Sequence, residues 1–160
     1  MGLNISGEVS HKHYRCGYNG LHQVRWLAML SMGAPINWKN GDPTYGWITH
    51  PWVGLDCNKA PQSDELMSWM FAAECCGYFY PNLIFHSDCD GEYTPKGKVF
   101  KKPGLRSGNS KELLKELRLL KNELKDCEFN LPERAMEIYQ MLYDLVEDEV
   151  LNGKGVLKFY

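Results

Sequence analysis

The sequence predicts an α+β fold: a small mixed sheet, with strands near residues 3–9, 82–87 and 156–160, covered by about four helices. Three observations carry that expectation. Two stretches, after Ser110 and from Pro132, repeat apolar residues at helical spacing. Three short runs carry the apolar clustering of strands. Between residues 33 and 62 there is no periodicity at all, only Gly, Pro and large aromatics. At 160 residues the chain has the size of a single domain, residues 1–160, and buries roughly two-thirds of its unfolded surface in one core.

Taken in order, Leu3, Ile5 and Val9 are the apolar members of the first strand. His11 to Tyr18 is expected as a polar and aromatic loop. Asn19 is placed to cap a helix from about Gly20 to Met32, ended by Gly33 and Pro35. Leu21, Val24 and Ala28 share one face of that helix; His22, Trp26 and Met29 share another, with Arg25 at its edge. The 33–62 stretch holds Trp38, Tyr45, Trp47 and Trp52, and four large aromatics are out of character for a disordered segment. It is expected as an ordered loop that covers a site. Ser63-Asp64-Glu65 starts a helix that reaches Cys76 and stops at Gly77.

Asn82 to His86 is expected as a short buried strand, followed by a sharp turn at Ser87-Asp88-Cys89-Asp90-Gly91. Thr94 to Ser107 is expected as a loop or short helix. Ser110 caps a helix whose stripe is Leu113, Leu114, Leu117, Leu120 and Leu124. Pro132 occupies the first turn of the last helix, where its missing N–H costs nothing. Met136, Tyr139, Leu142, Val146 and Val150 face the core, and Gly153 and Gly155 end the helix before a last strand at 156–160.

Composition excludes several functions. The net charge is −2 with acids and bases interspersed, so no basic block offers a surface to a nucleic-acid polymer or a membrane. No window approaches the ~18 apolar residues of a membrane span. The start, Met1-Gly2-Leu3-Asn4-Ile5-Ser6, is not a signal peptide, which points to a cytoplasmic protein whose six cysteines stay reduced. There is no Cys-x-x-Cys pair for structural zinc. A Ser nucleophile elbow, a phosphate-binding Gly loop and a dinucleotide fingerprint are also missing, so no catalytic residue, metal or cofactor is assigned.

Four constellations remain. In His86-Ser87-Asp88-Cys89-Asp90-Gly91 an extended chain puts His86, Asp88 and Asp90 on one side. That trio can hold a metal, accept hydrogen bonds from a ligand's hydroxyls, or bond its own turn. Around Tyr18-Asn19-Gly20-Leu21-His22-Gln23-Val24-Arg25, a helix start offers N–H groups to an anion, with Arg25 able to fork onto phosphate and His22 beside it. The alternative there is a surface ion pair and a packed histidine. His11 and His13 are spaced to chelate a metal if extended, and are otherwise loop residues. Tyr45, Trp47 and Trp52 can stack on a purine or cover the core.

Three of these features combine into a pattern. Met1-Gly2-Leu3 with a small strand, then Gly17-Tyr18-Asn19-Gly20-Leu21-His22-Gln23-Val24-Arg25, then His86-Ser87-Asp88-Cys89-Asp90-Gly91, and a short C-terminal strand ending in Phe159 resemble a family of small phage, prophage and bacterial proteins. Members of that family begin Met-Gly-Leu-Asp and carry a Tyr-Ser-x-Phe-His/Asn-x-x-Arg helix and a His-Ser-Asp-Cys-Asp-Gly turn. The order of motifs spans nearly the whole chain; the six-residue turn is the specific part. Asn4 departs from the usual Asp, keeping an acceptor but losing its charge.

What the resemblance implies is a phage-type anti-defence protein that sequesters a small nucleotide-derived immune signal, such as a cyclic ADP-ribose variant of Thoeris-type defence or another cyclic nucleotide. The contacts expected on that reading are Tyr18, Asn19, His22, Arg25, Trp47, Trp52, His86, Ser87, Asp88 and Asp90. It allows a homo-oligomer. Two rival readings stay open: a metal-dependent hydrolase of such a signal built on His86, Asp88 and Asp90, and an inhibitor that binds a host defence protein through the Leu-rich helices or the aromatic loop.

Overall fold

The computed structural model describes residues 3–31, 79–83, 91–97, 106–126 and 133–160. Along the chain these form β1 (Ile5–Gly7), β2 (His13–Tyr14), α1 (Gly17–Ser31), β3 (Gly91–Thr94), β4 (Arg106–Asn109), α2 (Ser110–Lys125), α3 (Glu133–Asn152) and β5 (Leu157–Phe159). The α+β class stands, with a mixed five-stranded sheet in the order β2-β1-β5-β3-β4. The described residues hold three helices rather than about four. The helix expected at 63–76 and the aromatic stretch 33–62 lie outside the described residues.

β5 pairs antiparallel with β1, Ile5 facing Phe159 and Gly7 facing Leu157, and antiparallel with β3, Tyr93 facing Leu157. β3 and β4 run parallel. Beyond β1 and β5, Asn4 and Tyr160 exchange both backbone bonds, at 2.7 and 3.0 Å. Alternation turns Leu157 and Phe159 inward and Lys158 outward. The Phe159 ring meets Tyr93 at a centroid distance of 4.6 Å. Gly108 of β4 lies against the face of the Tyr93 ring, where a Cβ would come within 2.5 Å of Cζ.

The helices cover this sheet as their stripes require. Leu113, Leu114, Leu117, Leu120 and Leu124 of α2 are buried, as are Tyr139, Leu142 and Val146 of α3, with Met136 and Val150 packed at the margin. α3 packs against both α1 and α2. The Tyr139 hydroxyl donates to the Leu117 carbonyl at 2.6 Å. At the end of α3, the N–H groups of Gly153 and Gly155 both donate to the Glu149 carbonyl, and Gly155 takes the left-handed conformation at φ 71°.

Four local expectations are corrected. The first concerns the strand at 82–87, because residues 81–83 form a helical turn and 84–87 lie outside the described residues. The N–H groups of Asn82 and Leu83 bond to a side chain instead of a neighbouring strand. A short apolar run does not by itself distinguish a buried strand from a buried turn. Second, α2 is capped by Asn109 and not Ser110. Asn109 ends β4 in an extended conformation, and its side chain accepts from Lys111 and Glu112. The Ser110 hydroxyl donates to the Gly155 carbonyl. Third, α1 begins at Gly17, so Asn19 lies within its first turn rather than at its cap. Fourth, His13–Tyr14, expected within a loop, form a strand, and Arg106 and Ser107, expected at the end of a loop or short helix, begin the strand Arg106–Asn109.

One buried acid ties the first turn to the last helix. Glu149 has no exposed surface, and its Oε2 accepts from Val9 N at 2.9 Å and Ser10 N at 2.7 Å while Oε1 accepts from Lys154 N at 3.1 Å. Gly7 and Gly153 flank the carboxylate where any Cβ would collide with it. Ser10 Oγ donates to Asp148 at 2.6 Å and draws that carboxyl below its usual range.

Replacing Glu149 with Gln turns an amide N–H against backbone donors and is expected to cost about 2–4 kcal/mol in urea unfolding. A loss within about 0.5 kcal/mol would refute the role given to this carboxylate. Gly108→Ala is expected to displace the Tyr93 ring and cost about 1–3 kcal/mol, read as a lower Tm. An unchanged Tm would contradict the packing.

Candidate functional site

Of the expected ligand contacts, four lie on α1: Tyr18, Asn19, His22 and Arg25. The helix carries their backbones through its first three turns. Trp47, Trp52, His86, Ser87, Asp88 and Asp90 lie outside the described residues. Arg25 is therefore the expected contact whose side-chain environment is described, and it sits inside the core rather than at the edge of an apolar face. It is 1% exposed, beside Leu21, Val24 and Ala28 on the same helix.

Burying a guanidinium requires partners for its donors. The Arg25 Nε donates to the Leu83 carbonyl at 2.8 Å. That bond joins two segments that the sequence singled out separately. Leu83 stands three residues before His86, and Gly91, one residue after Asp90, is fixed as the first residue of β3 opposite Phe159. The residues on either side of the motif in sequence are thus both fixed: Leu83 by Arg25, and Gly91 in the sheet.

The stretch before the turn is held from the other side by α2. Glu116, 6% exposed, accepts from Asn82 N at 2.9 Å and Asn82 Nδ2 at 2.8 Å through Oε1, and from Leu83 N at 2.9 Å through Oε2. The Asn82 side chain accepts from Asn109 N at 2.9 Å, and its carbonyl accepts from the Tyr93 hydroxyl at 2.6 Å. Burial pushes the Glu116 carboxyl up to about 7; the Asn82 and Leu83 donors oppose that rise, and the neighbouring Glu112 charge adds to it.

Beside this clamp a shallow pocket of about 410 Å³ opens between Phe79, Pro81 and Asn82 on one side and Glu112, Lys115, Glu116 and Leu119 on the other. Glu112 and Lys115 form an exposed ion pair at 2.7 Å across its rim.

Sequence reasoning overlooked Glu116 and Asn82, although Glu116 left a signal. It falls three residues after Leu113 and four before Leu120, on a stripe that is otherwise leucine. A charged residue there must find partners inside the fold.

His11 and His13 are exposed, and no three metal-ligating side chains converge among the described residues. The half-buried Cys16 thiol lies 3.8 Å from Met141 Sδ. No helix among the described residues is long and apolar enough to cross a membrane. No family model, no curated protein and no solved structure matches the chain.

Arg25→Met keeps most of the volume but removes the donor to Leu83. It is expected to lower unfolding free energy by about 1–3 kcal/mol, because the Leu83 carbonyl loses its charged partner. Stability equal to the parent protein would show that the Arg25–Leu83 bond does not anchor the 81–83 segment.

Proposed function

We propose that the protein binds and sequesters a small nucleotide-derived signal, ADP-ribose-like or a cyclic nucleotide, without converting it, as a phage-type anti-defence protein acting in the cytoplasm. The observation that carries this reading is the Arg25–Leu83 bond. It ties the helix that carries Tyr18–Arg25 to Leu83, three residues before His86 in sequence, and so links one motif of the resemblance to the segment that leads into the other. In the proposal His86, Ser87, Asp88 and Asp90 accept from ribose hydroxyls or a base edge. Tyr18, Asn19 and His22 meet the phosphates from the start of α1, and Trp47 and Trp52 stack on the base. Arg25 contributes from beneath, by holding the turn and by its charge. A homo-oligomer is compatible with the same site.

The protein-binding alternative rests on the Leu-rich helices or the aromatic loop. Leu113, Leu117, Leu120 and Leu142 are committed to this chain's own core, Leu119 of α2 and Leu151 of α3 are exposed, and the aromatic loop lies outside the described residues.

A thermal-shift panel of ADP-ribose derivatives, cyclic ADP-ribose variants and cyclic dinucleotides, with and without EDTA, tests the reading. A ligand at a hundredfold excess over Kd adds about 3 kcal/mol of apparent stability. The expected result is a large shift, insensitive to EDTA, with intact ligand recovered after denaturation. Asp88→Ala and Asp90→Ala should each weaken binding at least roughly tenfold, the scale of losing one charge-assisted hydrogen bond. Converted ligand would replace sequestration with catalysis, and no shift across the panel would refute nucleotide binding.

A further inference from the structure

We propose that the outward face of the α2–α3 hairpin is a self-complementary surface through which the chain pairs with a second copy of itself, α2 of each copy lying antiparallel across α3 of the other. The two helices run antiparallel within the chain. Contacts between them step up α2 as they step down towards the start of α3: Ser110 bonds Gly155 just beyond α3, Arg118 pairs with Glu147 at 3.2 Å, and the Lys121 ammonium lies 4.8 Å from the centre of the Tyr143 ring.

Lys121 and Tyr143 mark the sides on which the helices meet. At roughly 100° per residue, a quarter-turn from each and away from the core, α2 carries Lys111, Lys115, Arg118, Asn122 and Lys125. The same quarter-turn on α3 carries Glu133, Glu137, Gln140, Asp144, Glu147 and Leu151. All five of the α2 residues are exposed, as are Glu133, Glu137, Gln140 and Leu151, while Asp144 and Glu147 are half-buried. One half of the hairpin surface is therefore basic and the other acidic. The α2 charges alternate in sequence, and the fold sorts them. Glu116 is buried, and Glu112 and Glu123 fall on the flank turned away from α3.

A two-fold contact uses the same patch on both copies, so the patch must complement itself. A two-fold axis along the seam of the hairpin sets the basic half of each copy on the acidic half of the other; an axis across the seam sets like charge on like. The first axis permits no sliding along itself, so the register between copies is that of the hairpin. To within one helical turn, it brings Lys115 of one copy to Glu147 of the other, Arg118 to Asp144, Asn122 to Gln140 and Lys125 to Glu137. The apolar stem of Lys111 meets Leu151. The Arg118–Glu147 pair of each copy sits at the seam, where it joins its symmetry mate in a network of four charges. Exposed ion pairs are individually weak and screened by salt, so this dimer belongs to the weak, transient class of interfaces. No residue assigned above to the nucleotide lies on α2 or α3, so the dimer and the ligand site stand or fall separately.

Sedimentation velocity on the full chain without ligand, from micromolar to millimolar protein, tests the pairing. The expected result is a monomer–dimer equilibrium whose dissociation constant rises at least about tenfold between about 0.05 and about 0.5 M salt. Lys125→Glu and Glu137→Lys each set like charges together at two symmetric places and should each weaken the dimer roughly tenfold with little change in Tm; the double variant exchanges the two signs and should return to within about threefold of the parent. A chain that stays monomeric at low salt and millimolar concentration overturns the proposal, including one that instead binds heparin through α2. So does a dimer indifferent to salt, and so does a double variant no tighter than the singles.

Discussion

The antiparallel pairing of β5 with both β1 and β3 makes one sheet out of two strand pairs. Without it, β1–β2 would be a ribbon of two or three residues a side, and β3–β4 a parallel pair of four. Neither is stable alone in water. β5 is only three residues long, yet Leu157 and Phe159 carry the inward face of the sheet's middle, and Tyr93 packs on Phe159. Because β1 and β5 come from residues 5–7 and 157–159, the sheet closes through contacts far apart in sequence. Such contacts bear the full loop-closure entropy before they gain anything. The amphipathic helices α2 and α3 form through local spacing, and they give β5 a surface to settle on.

Where backbone N–H groups find no main-chain partner, buried carboxyl groups accept them instead. Glu149 of α3 accepts the N–H groups of Val9 and Ser10; Glu116 of α2 accepts those of Asn82 and Leu83. The logic is the same in both cases. An orphaned buried N–H costs about 1–3 kcal/mol, and a buried carboxylate costs more unless it is bonded. Each group relieves the other. Because both acids project from long helices with well-packed faces, they place the turns as precisely as the helices are placed. At Glu149 the room is made by Gly7 and Gly153, whose missing Cβ atoms are a requirement of the bond.

Helical periodicity made α2, α3 and the core face of α1 legible in the sequence, and inward alternation did the same for β5. Very short strands were not legible: β2 has two residues, and β4 contains Gly108, chosen for the Tyr93 ring rather than for strand propensity. The run at Leu83 was misread because its burial is real but its hydrogen bonds go to a side chain. Ser110 and Asn109 are both good caps by type; the extended backbone of Asn109 decides between them. The site was less legible still. The Arg25–Leu83 bond spans 58 residues, and no local pattern encodes a side chain reaching a distant carbonyl. The acids were half-written, since Glu116 and Glu149 each interrupt an apolar stripe without revealing their partners.

The burial of Arg25 changes what an arginine can do for an anion. A guanidinium on a helix surface grips phosphate directly and is screened by water and salt. One inside the core, with its Nε committed to the Leu83 carbonyl, acts instead through position and through a field that low dielectric leaves strong. Leu83 is held at both of its backbone polar groups: its N–H donates to Glu116 and its carbonyl accepts from Arg25.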